Sequence, residues 1–319
     1  MLQRPAILFV VDPLDELKAY KDSSVAMMRE LARRGSAVFA CTPAQLALRD
    51  GAVLAQASEL KLRTDDHEWY AAGPVTMTPL TQFDAVLMRK DPPFDVEFLN
   101  ATLLLSRAVA QGARVFNDPQ SLRDHNEKLA IAEFPRHTVP TLVTRDLKLL
   151  RDFHAELGDV VVKPLDGMGG RGVFRLRRDD PNLNAILETV SDYGTRSLMA
   201  QRFIPEITAG DKRVLLIAGK PVPFALARVP KPGESRGNLA AGGIGRAQPL
   251  SAADRRIAED IGPVLASRGL LLVGLDVIGD YLTEINVTSP TCFVEITEQS
   301  GFDVASMFVD ELFEEVGRK

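Results

Sequence analysis

The sequence predicts an α/β unit built on a parallel sheet, followed by a longer α+β region with antiparallel strands. Two observations carry this. Over the first third, short apolar runs alternate with amphipathic helical stretches, the pattern of βαβ units whose helices cross over a parallel sheet. From Pro119 onward helices mix with strand pairs joined by tight glycine turns. A third observation fixes the centre: the glycine-rich stretch Lys163-Pro-Leu-Asp-Gly-Met-Gly-Gly-Arg-Gly172 lies between two strand patterns, not between a strand and a helix.

In order, Ala6 to Val11 reads as a buried strand. Asp22 or Ser23 caps a helix with Val25, Met28 and Leu31 on one face, stopped by Gly35, and Ala37 to Cys41 is the next strand. Residues 48–80 are ambiguous; a small hairpin carrying Trp69 and Tyr70 is one expectation. Ala85 to Met88, a helix from Ala101 to Ala110 ended by Gly112, and Arg114 to Phe116 continue the parallel sheet, and a boundary falls near residue 120. Ser121 to Phe134 is expected as one helix with Leu122, Leu129 and Phe134 inward. Thr138 to Val143 is a strand, and Leu147 to Leu157 a helix closed by Gly158. The glycine hairpin follows, then a helix from about Asn182 to Tyr193 and the strand Ser197 to Gln201. Val214 to Ile217 and Val222 to Leu226 flank a tight turn at Gly219-Lys220. The expected units are 1–120, 121–200 and 201–319. Residues 229–245, rich in Gly, Ala and Pro, form a stretch too long for a simple connection and suited to a lid.

The totals narrow the function. The chain has 319 residues, 45% hydrophobic and 25% charged, with a formal net charge of −5 and dispersed Lys and Arg, so neither nucleic acid nor anionic membrane is the expected partner. Two distant cysteines, Cys41 and Cys292, give no disulfide framework and no zinc spacing. The opening Met-Leu-Gln-Arg-Pro lacks a signal peptide's apolar region, and no run is long enough to span a bilayer. The expected location is cytoplasmic.

Gly167, Gly169 and Gly172 spell G-x-G-x-x-G, but the alternating Val173-Phe-Arg-Leu-Arg177 after them is a strand, which removes the dinucleotide-binding reading. The stretch is instead a hairpin whose backbone N–H groups can approach phosphates, because glycine removes the Cβ and permits φ > 0. Near the C-terminus, Gly274 to Asn286 reads as two strands around a turn. Glu284 and Asn286, two apart, share one face. A three-residue turn at Gly279-Asp280-Tyr281 sets Asp276 opposite Glu284, whereas a two-residue turn puts Asp276 on the other face. Two carboxylates and an amide carbonyl, with no nitrogen or sulfur ligand, suit Mg²⁺ or Mn²⁺ shared with phosphate oxygens. There is no P-loop and no kinase motif.

Lys128, Lys163, the glycine hairpin, the apolar strand leading to Gln201-Arg-Phe-Ile204, and D…E-x-N, in that order, resemble the ATP-grasp superfamily with its N-terminal Rossmann-like domain. Longer strings are more specific. Met88-Arg-Lys-Asp-Pro-Pro-Phe-Asp95, Asn117-Asp-Pro-Gln-Ser-Leu-Arg123, Asn126-Glu-Lys-Leu129, Gly210-Asp-Lys-Arg213, Arg236-Gly-Asn-Leu-Ala-Ala-Gly-Gly243 and Leu282-Thr-Glu-Ile-Asn-Val-Thr-Ser-Pro-Thr291 resemble the bacterial glutathione synthetases over nearly the whole chain.

The resemblance implies ligation of γ-L-glutamyl-L-cysteine to glycine through an acyl phosphate, with ATP as co-substrate and Mg²⁺ or Mn²⁺ as cofactor. It places Lys128, Lys163 and the hairpin residues Gly167, Met168, Gly169 and Gly170 on phosphates. Gln201, Phe203 and Ile204 would line the adenine pocket, and Asp211 and Arg213 would sit near ribose and phosphates. Asp276, Glu284 and Asn286 would hold the metal. Arg228, Arg236 and Lys163 would neutralise reacting oxygens, and Arg89, Ser289 and Thr291 would contact peptide or glycine. Cys41, Cys292 and the four histidines are expected to be structural, and a homo-tetramer is implied. Two positions depart from the family pattern. Ile244 stands where many relatives carry the lid arginine, and Val294 replaces the arginine of Ile-Arg-Glu-Ile, so weaker glycine capture or another amine acceptor is expected. A ligase with a different acceptor and a nucleotide-binding regulator without ligation are the competing expectations.

Overall fold

A computed structural model describes residues 4–231, 237 and 242–317. Its N-terminal sheet contains β1 (Ala6–Val10), β2 (Ala37–Cys41), β3 (Leu46–Arg49), β4 (Ala52–Leu62), β5 (Tyr70–Ala72), β6 (Thr76–Pro79), β7 (Ala85–Met88) and β8 (Val115–Phe116). The path is β3-β4-β2-β1-β7-β8. β1 runs parallel to β2 and β7, and β7 parallel to β8, as the βαβ pattern requires. The ambiguous 48–80 stretch turns out larger than a small hairpin: the long β4 pairs antiparallel with β2, β3, β5 and β6. Trp69 is buried beside it.

α1 (Ser23–Arg33) opens where Asp22 Oδ1 accepts from the Ser24 and Val25 N–H groups, which decides between the two expected caps. α2 (Val96–Ala110) starts five residues earlier than expected, capped by Asp95. α3 is only Pro119–Asp124, and residues 129–133 form a separate 3₁₀ turn. The expected single helix over 121–134 is thus broken, because Asn126 Oδ1 accepts from the Lys128 and Leu129 N–H groups at 3.0 Å and competes with the helical ladder. The break leaves Leu129 exposed and turns Lys128 inward, 2% exposed.

A second sheet, in the order β11-β10-β12-β9, contains β9 (Thr141–Thr144), β10 (Asp159–Pro164), β11 (Phe174–Arg177) and β12 (Leu198–Arg202). α4 (Leu147–Leu157), ended by Gly158 at φ 74°, and α5 (Leu183–Val190) cover one face. Period-2 alternation sends Val160, Val162, Leu198 and Ala200 to the helices. Val161, Lys163 and Gln201 face the other way, into a cavity.

The third sheet is antiparallel, β15-β14-β13-β16-β17, from β13 (Asp211–Ile217), β14 (Lys220–Val229), β15 (Ile244–Pro249), β16 (Leu272–Ile278) and β17 (Tyr281–Asn286). α6 (Ala252–Ala266) packs on it, and α7 (Phe293–Ser300) and α8 (Val304–Gly317) reach both this sheet and α1. Its apolar residues join the N-terminal core: Leu215, Ile217 and Leu272 share one cluster with Ile7, Phe9, Val25 and Phe308. Buried Asn117 fastens the two parts, donating to the Leu272 and Val287 carbonyls and accepting from the Leu272 N–H.

Candidate active site

The second and third sheets flank a cavity of about 300 Å³. One wall is the glycine hairpin between β10 and β11. Gly169, Gly170 and Gly172 take φ of 63°, 80° and 69°, the backbone freedom expected of them. Gly167 supplies a carbonyl that accepts from Lys128 Nζ at 2.7 Å. Phe203, just after β12, is covered by the Arg175 guanidinium 3.5 Å from its ring centroid, and Asp159 holds that guanidinium with bonds of 2.9 and 2.6 Å.

The opposite wall is acidic and basic in equal measure. Asp276 on β16 stands opposite Glu284 on β17, but by neither route expected from the sequence alone. The turn is the two-residue one, Ile278 pairing with Tyr281, and a bulge at Thr283 then restores the register. The Thr283 hydroxyl donates to the Asp276 carbonyl at 3.1 Å and pins the bulge. Asp276 is nearly buried between two guanidinium groups, with Arg213 Nε at 2.6 Å and Arg228 Nη2 at 2.9 Å. Burial alone raises a carboxyl pKa, yet Arg213 and Arg228 outweigh it and hold Asp276 well below the usual carboxylate range. Gly274 makes this possible: a Cβ there would lie 2.8 Å from Arg213 Cδ, so only glycine lets that side chain lie across β16.

Glu284 Oε1 receives Lys163 Nζ at 3.3 Å and Lys128 Nζ at 3.8 Å, so two lysines remote in sequence meet on one carboxylate. Lys128 also bonds its neighbour Glu127. Burial works against the Lys128 charge, but Glu284 and Glu127 raise its pKa above the ordinary value. Glu127 is itself pushed up by burial and by Glu284. Asp211 is pushed up to about 7, chiefly by burial and then by Asp276 and Glu284, although Arg228 binds its Oδ2 at 2.6 Å. Its Oδ1 is buried without a hydrogen-bond partner among the described residues.

Lys128, Lys163, Gly167, Met168, Gly169, Gly170, Gln201, Phe203, Ile204, Asp211, Arg213 and Arg228 all line this one cavity, as do Asp276, Glu284, Asn286, Ser289 and Thr291. Arg89 lies just behind it, 7% exposed, donating to the Ser24 hydroxyl and the Pro290 carbonyl. Arg236, and with it most of the expected lid, lies outside the described residues. Ile244 is 58% exposed on β15, and neither it nor Val294 lines the cavity. Sequence reasoning gave no role to Glu127, Asp91 or Arg175, although Glu127 and Asp91 sit inside the strings Asn126-Glu-Lys-Leu129 and Met88 to Asp95. Three of the histidines make side-chain contacts away from the cavity: His154 bonds the Arg177 carbonyl, His125 meets Ser121 and Arg268, and His137 meets Asp260. Cys41 is buried in the core, where desolvation pushes its thiol up to about 12, and Cys292 is buried at the cavity edge.

The donor chemistry fits a hard divalent cation. Asp276, Glu284 and Asn286 offer two carboxylates and an amide oxygen, since Asn286 Nδ2 is spent on the Gly274 carbonyl, and the orphaned Asp211 oxygen lies in the same wall. Around them Glu127, Asp211, Asp276 and Glu284 pair with Lys128, Lys163, Arg213 and Arg228.

Two family models match the chain: the prokaryotic glutathione synthetase N-terminal domain over residues 6–123 and the prokaryotic glutathione synthetase ATP-grasp domain over residues 127–301. The glutathione synthetase of Ralstonia nicotianae is 62% identical over 312 residues, 98% of this chain and 96% of that protein. That of Nitrosomonas europaea is 56% identical over 316 residues, 98% and 99% of the two chains. Among solved structures, the D-cycloserine synthetase DcsG superposes with a TM-score of 0.69 at 17% identity, covering 98% of this chain and 99% of that one. The ATP-grasp ligase PsnB, complexed with minimal precursor, Mg and ADP, gives 0.63 at 18%, covering 98% of each chain. At such identities these two speak for the ATP-grasp fold alone.

Proposed function

The chain belongs to the prokaryotic glutathione synthetase family, and from that premise we propose that it joins γ-L-glutamyl-L-cysteine to glycine in this cavity, with ATP as co-substrate. The observation that carries the assignment to this site is the meeting of Lys128 and Lys163 on Glu284, beside the Asp276–Arg213–Arg228 cluster, under a glycine hairpin. The cysteine carboxylate takes the γ-phosphoryl group of ATP, releasing ADP, and the glycine amine then displaces phosphate from the acyl phosphate. Neither step calls for a covalent enzyme nucleophile; positioning and charge neutralisation suffice.

In this reading Lys128, Lys163 and the N–H groups of Gly167, Met168, Gly169 and Gly170 hold phosphate oxygens. Gln201, Phe203 and Ile204 border the adenine, with Arg175 backing the Phe203 ring. Asp211 and Arg213 serve the ribose and phosphates. Arg228 and Arg236 stabilise the reacting carboxylate and phosphoryl oxygens, and Arg89, Ser289 and Thr291 seat the peptide and glycine. Asp276, Glu284 and Asn286 would hold Mg²⁺ or Mn²⁺, whose charge on phosphate oxygens is the chemistry it supplies. Residues 229–245 exclude water from the acyl phosphate. Units cut near residues 120 and 200, a cytoplasmic location and a homo-tetramer belong to the same proposal; no helix among the described residues is long and apolar enough to cross a membrane.

The test is direct. Purified protein with Mg-ATP and γ-glutamylcysteine, with and without glycine, should give ADP and glutathione in equal amounts only when glycine is present. ADP without tripeptide, or tripeptide only with another amine, would reject the acceptor while leaving the nucleotide site intact.

A further inference from the structure

A closed ring of hydrogen bonds lies outside the cavity, on the loop between α6 and β16. Arg268 Nη1 donates to His125 Nε2 at 2.7 Å, His125 Nδ1 donates to the Ser121 carbonyl at 2.8 Å, and the Ser121 hydroxyl returns a bond to the Arg268 carbonyl at 2.6 Å. The contacts settle the tautomer. A guanidinium offers no acceptor, so His125 Nε2 must accept and the ring proton sits on Nδ1. His125 and Ser121 are buried. Arg268, half-buried, also forks onto Glu133, with bonds of 3.1 Å from Nη1 and 2.6 Å from Nη2. A two-armed pair of this kind keeps its value where a single exposed ion pair has little.

His125 and Glu133 stand on either side of Lys128. One atom, Arg268 Nη1, meets both, although in an unbroken helix, rising about 1.5 Å per residue, these positions would lie about 12 Å apart along the axis. The clamp therefore favours the bent path over the continuous helix. On the cavity side the polar anchors both precede Lys128: the Glu127 carbonyl accepts from the Ile285 N–H at 2.8 Å, and Asn126 Nδ2 donates to the Leu165 carbonyl at 3.2 Å. Past Lys128, Arg268 supplies a side-chain anchor at Glu133. Lys128 itself reaches the Gly167 carbonyl and Glu284, whereas neither Arg268 nor His125 lines the cavity.

We infer that Arg268 is a positioning residue for Lys128: through His125 and Glu133 it holds the chain bent on both sides of that lysine and so presets the ammonium in the cavity. This rests on the proposed role of Lys128 at the nucleotide phosphates and adds to it a clamp built outside the cavity wall. A preset cation spares the nucleotide the cost of ordering it, so the effect belongs to nucleotide affinity.

The experiment is a double-mutant cycle. Mg-ADP is titrated calorimetrically into the wild type, Arg268→Ala, Lys128→Ala and the double variant, all at one salt concentration. Arg268→Ala should weaken Mg-ADP binding by about fivefold when Lys128 is present, and by less than about 1.5-fold in the Lys128→Ala background, where no ammonium is left to position. A residue that only supported the fold would cost the same in both. Equal weakening in the two backgrounds, or none in either, overturns the inference. If Arg268→Ala does not fold, Arg268→Gln, which keeps a single arm, takes its place in the cycle under the same criteria. A wild type that does not bind Mg-ADP overturns the nucleotide site itself, and this inference with it.

Discussion

The two sheets that flank the cavity are held in place differently. The four-stranded sheet rests on a small core of its own, Leu150, Val160, Val162, Leu176, Leu187, Leu198 and Ala200, closed by α4 and α5. The five-stranded sheet shares its core with the N-terminal sheet and is tied to it by Asn117. Their polar loads differ as well. Lys163 and the hairpin backbone reach out from the lightly anchored sheet, while the compact Asp211, Arg213, Arg228 and Asp276 network is embedded in the anchored one. Buried charge clusters need a fixed frame, because a lost partner leaves an uncompensated charge. A glycine hairpin carries no such charge, and the sheet with fewer shared apolar contacts is the one able to open at lower cost.

Asp276→Asn should break the anchored side. It weakens the hold on two buried guanidinium groups, and the expected loss is about 3 kcal/mol of unfolding free energy, read from denaturant melts, together with loss of ligase activity. A variant as stable as the wild type would show that Arg213 and Arg228 find other partners. Lys163→Ala sharpens the contrast: a fall of about 10²-fold in kcat, with stability changed by less than about 1 kcal/mol, separates phosphate work from scaffold work.

Hydrogen exchange measures the difference without mutation. Amides of β10 to β12 should open at a free energy about 2 kcal/mol below those of β13 and β16, and Mg-ATP should narrow the gap. Equal protection in the free protein would mean that the two sheets open as one unit.

Asp211 adds a pH signature to the anchored side. Its folded pKa of about 7 stands above the ordinary 3.8, so between those values the native state holds a proton that the unfolded chain has released. Its contribution to stability therefore falls as pH rises from about 4 to about 7. The melting temperature of Asp211→Asn relative to wild type should rise across that window, and a flat difference would place the titration elsewhere. The smallest expected effect is at Ile244. Exposed on β15 and outside the cavity wall, Ile244→Arg should change the glycine KM by no more than about twofold. A large improvement would mean that this edge joins the site when substrates bind.

Local pattern and order along the chain were sufficient for most of the fold and for many of the residues that line the cavity, though not for Glu127, Asp91 or Arg175. Side-chain period 2 already puts Lys163 and Val161 on the face opposite Val160 and Val162, and glycine at 169, 170 and 172 already signals a backbone that L side chains resist. Ser289 lies on the cavity wall, whereas Arg89 lies behind it. What the sequence could not decide depended on competition between nearly equal local options. Asn126 could continue a helix or cap a new turn, and burial of Lys128 against Glu284 and the Gly167 carbonyl settles it. The β16–β17 turn could hold two residues or three. The answer is two plus a bulge at Thr283, because Asp276 and Glu284 must both reach cations supplied from other strands. Which charges pair is a further tertiary matter, since sequence spacing carries no information about desolvation or about guanidinium groups brought in from other strands. By itself, then, the sequence determined most elements outside residues 48–80, their faces and the residue types of the site; the β3 to β6 pairing, the register, the break before Lys128 and the ion pairs were decided by packing, where long-range contacts outweigh local propensity.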